Sequence, residues 1–163
     1  MLNYFKSFNR YAFRLELLQA YDVSREQEDF NFFLKTGKIN SSNNSSWHEI
    51  IQSAIKRNAK FQRVRVIQEP LSKYLQYEFE HYKSNIKAGD KVFLLKKEEF
   101  KKLNSDINFD FWLFDDEIVL KMNYDSSGKF LGFEVLNTNI EPFIKLKNNL
   151  LKIAKSFEDY RSA

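Results

Sequence analysis

The apolar positions of this chain change their spacing along its length, and each change marks a change of element. Tyr4, Phe5, Phe8, Tyr11, Ala12, Leu15, Leu18 and Ala20 fall near helical spacing, so residues 3–20 are expected to form a helix. Its second half, Ala12-Phe13-Arg14-Leu15-Glu16-Leu17-Leu18, is apolar on nearly every side. Arg14 and Glu16 stand inside that run, where each needs a partner. After a break at Tyr21-Asp22-Val23, Ser24 reads as an N-cap with Gln27 as its capping-box partner. The helix it starts runs from Arg25 to about Leu34 and stops before Gly37. Residues 37–46, Gly-Lys-Ile-Asn-Ser-Ser-Asn-Asn-Ser-Ser, form a low-complexity stretch and are expected to be a flexible, exposed loop. A third, short helix follows, with Ser46 as its cap, Glu49 in the box position, and Trp47, Ile50, Ile51, Ala54 and Ile55 as its buried stripe.

The period then switches from helical to two. Phe61-Gln62-Arg63-Val64-Arg65-Val66-Ile67 alternates as a half-buried strand and ends at Glu69-Pro70. Ser72 or Pro70 starts a helix whose face is Leu71, Tyr74, Leu75, Glu78, Phe79 and Tyr82. A turn at Lys87–Asp90 leads to a second strand, Lys91–Leu95, and Lys96–Leu103 is a short polar helix or loop. Phe109–Phe114, Ile118–Tyr124 and Phe130–Leu136 read as a β-meander, joined by Asp115-Asp116-Glu117 and by the Gly-containing loop Asp125–Gly128. A long amphipathic helix from about Ile140 to Tyr160 closes the chain. The class is α/β or α+β in a single domain, 1–163. It has three N-terminal helices, an about five-stranded mixed sheet with a β-meander, and a long C-terminal helix.

Composition adds limits more than direction. A chain of 163 residues buries roughly 70% of its unfolded surface, so it needs no disulfide or metal staple, and it has no cysteine to make one. Seventeen Phe and eight Tyr against four Gly assign much of the core to aromatic rings. No run approaches the ~20 apolar residues of a membrane span and no signal segment is evident, so a soluble, cytoplasmic protein is expected. A net charge of +4 with interspersed acids permits nucleic-acid contact without implying it.

Candidate chemistry is sparse. His48 and His81 lack the further ligands a zinc site needs, and no metal or cofactor is expected. In Asp115-Asp116-Glu117 adjacent residues point to opposite faces, so an acidic turn fits better than a cation site. Arg63 and Arg65 project from one face of their strand. Two guanidinium forks side by side suit either an anion or a pair of carboxylates, with Glu16, Glu69 and Glu78 available as internal partners. Tyr74 and Glu78 stand one helical turn apart on the face nearest the sheet. Arg14, Glu16, Arg63, Arg65, Glu69, Tyr74 and Glu78 are therefore the candidate binding residues, and no residue stands out as catalytic.

Phe13-Arg14-Leu15-Glu16, Tyr21, Arg63-Val64-Arg65-Val66 with Glu69-Pro70-Leu71-Ser72-Lys73-Tyr74, Ala88-Gly89-Asp90 and Asp110-Phe111-Trp112-Leu113-Phe114-Asp115 together resemble an uncharacterised bacterial family, a domain of unknown function. Members are often encoded near helix-turn-helix regulators, so the resemblance implies such a regulator as a partner. A weaker, fold-level likeness is to the phospholipase D superfamily and its inactive modules. Placing that family's aspartate at Asp116 or Asp115 puts Phe109 and Phe111, or Asn108 and Asp110, where its histidine and lysine belong, so that chemistry is absent. The reading that follows is a non-enzymatic regulatory or protein-interaction module that binds a small anionic ligand or a partner protein. The alternatives are a nucleic-acid-binding component of a mobile-element or defence locus and, more weakly, a hydrolase or nuclease using Arg14, Glu16, Glu69 and Glu78.

Overall fold

The sheet is built around a strand drawn from the segment whose spacing suggested a helix. In the computed structural model, which describes residues 1–40 and 45–163, helix α1 covers only Leu2–Ser7, and the chain then extends as strand β1, Tyr11–Glu16. Strand β1 lies between β2 (Lys60–Ile67), to which it is parallel, and β4 (Phe111–Phe114), to which it is antiparallel. All six of its residues are buried. A strand covered on both faces is as uniformly apolar as a buried helix, and only its two-residue alternation distinguishes it. Here Tyr11, Phe13 and Leu15 face one core while Ala12, Arg14 and Glu16 face the other side, and this places the two charges that a helix could not accommodate.

Other boundaries follow local chemistry more closely. Ser24 caps no helix; Ser24–Glu26 is a single 3-10 turn, and α2 then spans Gln27–Thr36. Gly37, at φ 68°, ends α2 by donating its amide to Phe33 O, a left-handed position that glycine takes without steric cost. Helix α3 spans Ser45–Lys56, with Ser46 inside it, and Ser41–Asn44 of the expected loop lie outside the described residues. Helix α4, Lys73–Ala88, starts where Ser72 Oγ accepts the Leu75 amide at 3.0 Å and stops at Gly89. Strand β3 (Asp90–Lys96), the short helix α5 (Lys97–Lys101) and the β4–β5–β6 meander (β5 Ile118–Tyr124, β6 Phe130–Leu136) agree with the spacing.

The expected long last helix is interrupted. Helix α6 spans only Glu141–Ile153, Ala154 is extended, and Lys155–Ser156 add to the edge of β3 as β7. Ser156 Oγ then accepts the Asp159 amide at 3.0 Å and starts α7, Phe157–Ser162. A β-edge that would otherwise lie open is covered in this way, which outweighs continuing the helix. The sheet is accordingly seven-stranded and mixed, in the order β6-β5-β4-β1-β2-β3-β7, rather than five-stranded.

The two faces of the sheet are packed differently. One carries a single apolar core in which Phe13, Leu15, Val64, Phe111 and Leu113 meet Phe143, Leu146 and Leu150 of α6. On the other, Phe61, Trp112 and Phe114 pack with Phe5 of α1 and Ile51 of α3, while Ile67, Val92 and Leu94 pack with Leu75, Phe79 and Tyr82 of α4 and Phe157 of α7. Between these two apolar blocks, the sheet positions are polar. Among the described residues no helix is long and apolar enough to cross a membrane.

Candidate functional site

The polar strip follows from strand register. Parallel pairing sets Arg14 beside Arg63 and Glu16 beside Arg65, so alternation brings four charged side chains to one face as a two-by-two block. Arg14, Glu16 and Arg63 form the floor of a pocket of about 250 Å³, and Arg65 lies buried beneath it. Its walls come from Trp47 of α3, Trp112 of β4 and Tyr124 of β5 on one side, and from Tyr74, Glu78 and His81 of α4 on the other. Tyr21 and Glu26, from the segment between β1 and α2, close the rim.

Glu16 is the hub of the floor. Its Oε2 lies 3.5 Å from both Arg63 Nη1 and Arg65 Nη1, and its Oε1 lies 3.6 Å from Arg14 Nε. Burial pushes its carboxyl up, but the Arg63, Arg65 and Arg14 guanidiniums outweigh that and hold it down at about 2. Two more acids flank it. Asp90 accepts from Arg63 Nε at 2.8 Å, and Asp110 accepts from Arg14 Nη2 at 3.1 Å, from the Leu17 amide at 2.9 Å and from the Tyr21 hydroxyl. Arg14 Nη2 also donates to Tyr124 Oη at 2.9 Å, and the Arg65 guanidinium lies 4.7 Å over the Tyr21 ring. The pairing of Arg63 and Arg65 with internal carboxylates thus holds, through Glu16 and Asp90.

That network is incomplete. Among the described residues Arg14 Nη1, Arg63 Nη2, and Arg65 Nε and Nη2 are buried and meet no acceptor, and Asp90 Oδ1 and the Tyr82 hydroxyl are also left over. A buried guanidinium N–H without an acceptor loses its hydration with nothing in exchange, a cost of about 1–3 kcal/mol or more. Folded proteins normally avoid such atoms, so a cluster of them around one cavity marks a place where a further acceptor belongs.

The opposite wall is acidic. Tyr74 Oη donates to Glu26 Oε2 at 2.9 Å, and Glu78 stands one turn along α4 from Tyr74, partly open to the pocket. Among the described residues the Glu78 carboxyl accepts no hydrogen bond and makes no ion pair. Burial and then the Glu26 carboxyl push it up to about 8, against the pull of Arg65 and Arg63. Burial likewise raises Glu26. Behind this wall Asp29 of α2 accepts from Tyr77 Oη at 3.1 Å and lies 3.2 Å from His81 Nε2, tying α2 to α4. His48 Nε2 lies 3.0 Å from Asn85 Oδ1.

Six of the seven residues singled out from sequence meet here: Arg14, Glu16, Arg63, Tyr74 and Glu78 line the pocket, and Arg65 lies beneath its floor. Glu69 does not. It sits on the exposed surface, accepting from Lys96 Nζ at 2.8 Å and Tyr160 Oη at 2.6 Å. Its place as partner to Arg63 is taken by Asp90, because Glu69 follows the end of β2 while Asp90 opens β3 beside Phe61. Asp90, Asp110, Tyr21, Glu26 and Tyr124 were not among the candidate binding residues. For Asp110 a signal existed: alternation puts it on the same face as Trp112, which pairs with Arg14.

The neighbouring acids serve the backbone. Asp115 accepts the Asn9, Arg10 and Tyr11 amides at 2.7–2.8 Å, which fixes the entry of β1. Asp116 accepts from Lys147 Nζ at 3.1 Å and from the Tyr11 hydroxyl. No curated protein matches the chain. The family model described as "Domain of unknown function (DUF6879)" matches residues 1–162, and the chain belongs to that family.

Proposed function

We propose that the chain is a non-enzymatic regulatory module whose pocket takes a small anionic ligand, and that occupancy of the pocket is what a partner protein reads. The observation that carries this reading is the pair of buried guanidiniums lining the cavity, Arg14 and Arg63, each with an N–H that meets no acceptor among the described residues, with Arg65 in the same condition beneath them. Guanidinium forks suit carboxylate and phosphate oxygens, and a low-dielectric floor strengthens each bond made there. The nucleic-acid alternative draws less support from this site. The three guanidiniums are sunk below the aromatic walls, where the backbone of a duplex cannot reach.

A thermal-shift titration at low ionic strength with inorganic phosphate, succinate and citrate tests the reading, with glycerol as the uncharged control. A probe present at a hundred times its Kd stabilises by about 2.7 kcal/mol, a rise of roughly 5–11 °C for a chain of this size. Arg14→Gln is expected to remove most of that rise. No rise with any of the three acids, or a rise that survives Arg14→Gln unchanged, would falsify the proposal.

A further inference from the structure

The floor and the far wall of the pocket lack opposite things. On the floor the three arginines are already matched in charge by Glu16, Asp90 and Asp110, and what is missing is acceptor oxygens. On the wall Glu26 and Glu78 both line the pocket and, among the described residues, neither makes an ion pair; Arg25, exposed at the rim beside Glu26, is the wall's own cation. A ligand carrying only negative charge would satisfy the first deficit and worsen the second. It would bring net charge into a cavity whose floor is balanced and whose wall is acidic, and in low dielectric that is costly.

We infer that the ligand is amphoteric, with a carboxylate or phosphate seated on Arg14 and Arg63 and a protonated amine seated between Glu26 and Glu78. This deepens the anion reading above and rests on it. The aromatic walls suit the span between the two ends. Tyr21 and Tyr74, edge to face with centroids 6.1 Å apart, stand beside the acidic end; the Tyr21 ring already carries the Arg65 guanidinium over one face. Trp47 and Trp112, with centroids 6.0 Å apart, cover the apolar span from the side of α3 and β4. Tyr74 holds Glu26 through its hydroxyl, so the orientation of one carboxyl is set before anything binds.

Proton bookkeeping separates an amphoteric ligand from an acid. Glu78 is faced by Glu26 from the 3-10 turn, by Glu16 from β1 and by Arg63 and Arg65 from β2. An ammonium arriving there replaces the proton the pair holds at neutral pH, so its binding releases a proton to buffer. An acid arriving alone makes the pair hold that proton more tightly and releases none.

The test is isothermal titration of the full chain at pH 7 with matched sets: 4-aminobutyrate, butyrate and butylamine, and phosphoethanolamine, ethyl phosphate and ethylamine. The two sets distinguish a carboxylate from a phosphate end. Within the set that matches the ligand's acidic end, the amphoteric member is expected to bind at least tenfold tighter than either single-charge analogue. Its heat should vary with the ionisation enthalpy of the buffer in the sense of proton release. The Glu26→Gln/Glu78→Gln variant keeps the side-chain shapes while removing the charge, and should bind the acid and its amino counterpart equally. Equal binding of acid and amino acid by the unaltered chain overturns the amphoteric proposal and leaves the anion reading standing. An amphoteric advantage that survives in the double variant also overturns the proposal. Binding of the amine alone, or of no member, overturns both.

Discussion

Glu16 and Glu78 line one pocket, and replacing each by glutamine is expected to have opposite consequences. In Glu16→Gln the three guanidiniums at 3.5–3.6 Å lose the one carboxylate they share. Their environment holds Glu16 at about 2 instead of the ordinary 4.5. At about 1.36 kcal/mol per pKa unit, the charged form is favoured over the neutral one by roughly 3 kcal/mol, and an amide stands in for the neutral form. That agrees with the roughly 3–5 kcal/mol lost when one partner of a buried pair is removed and the others stay charged. A loss of that size is a third or more of the stability of many domains, and lowers the melting temperature by roughly 6–20 °C. Urea unfolding followed by the fluorescence of Trp47 and Trp112, which both border the pocket, reads it directly. In Glu78→Gln the amide replaces a carboxyl that is already largely neutral at pH 7, so stability should hold or rise. A Glu16→Gln loss below about 1 kcal/mol, or a Glu78→Gln loss matching it, would refute the assigned charge states.

The pH profile of stability carries the same assignment. The lowered Glu16 contributes stability that is complete above its unfolded value of 4.5 and is lost as pH falls from there towards about 2. Glu78, raised from 4.5 to about 8, has the opposite sign. Its contribution is complete below 4.5 and is lost as pH rises from there through about 8, and Glu78→Gln should flatten that decline in a melting-temperature series. Asp115→Ala removes the acceptor for the Asn9, Arg10 and Tyr11 amides and should cost at least about 3 kcal/mol in urea unfolding; a change under about 1 kcal/mol would show that water replaces it. Gly89→Ala puts a Cβ 2.6 Å from Ile55 Cγ1 at φ 117°, so a loss of about 1–3 kcal/mol is expected, partly recovered when Ile55 is also cut to Ala. A neutral Gly89→Ala would mean that the turn between α4 and β3 relaxes freely.

Much of the architecture is local and therefore readable along the chain. The two-residue alternation of β2, the Ser72 cap, the stop at Gly37 and the three strands of the meander each depend on neighbours a few residues away. The pocket candidates were legible for the same reason: a charge inside an apolar run, as at Arg14, Glu16, Arg63 and Arg65, has to be resolved somewhere in the fold. Where it is resolved is not a local matter. Whether residues 11–16 are helix or strand depends on β2 and β4 being there to take both hydrogen-bonding edges, and nothing in that hexapeptide reports it. The break after Ile153 depends on an open edge at β3. Asp90 and not Glu69 pairs with Arg63, and Asp110 faces Arg14, because register between strands far apart in sequence sets which carboxylate lies within reach. Side-chain chemistry announces that a charge needs a partner; strand pairing chooses the partner, and among the described residues it leaves several guanidinium donors on one side of the pocket, and the Glu78 carboxyl on the other, without one.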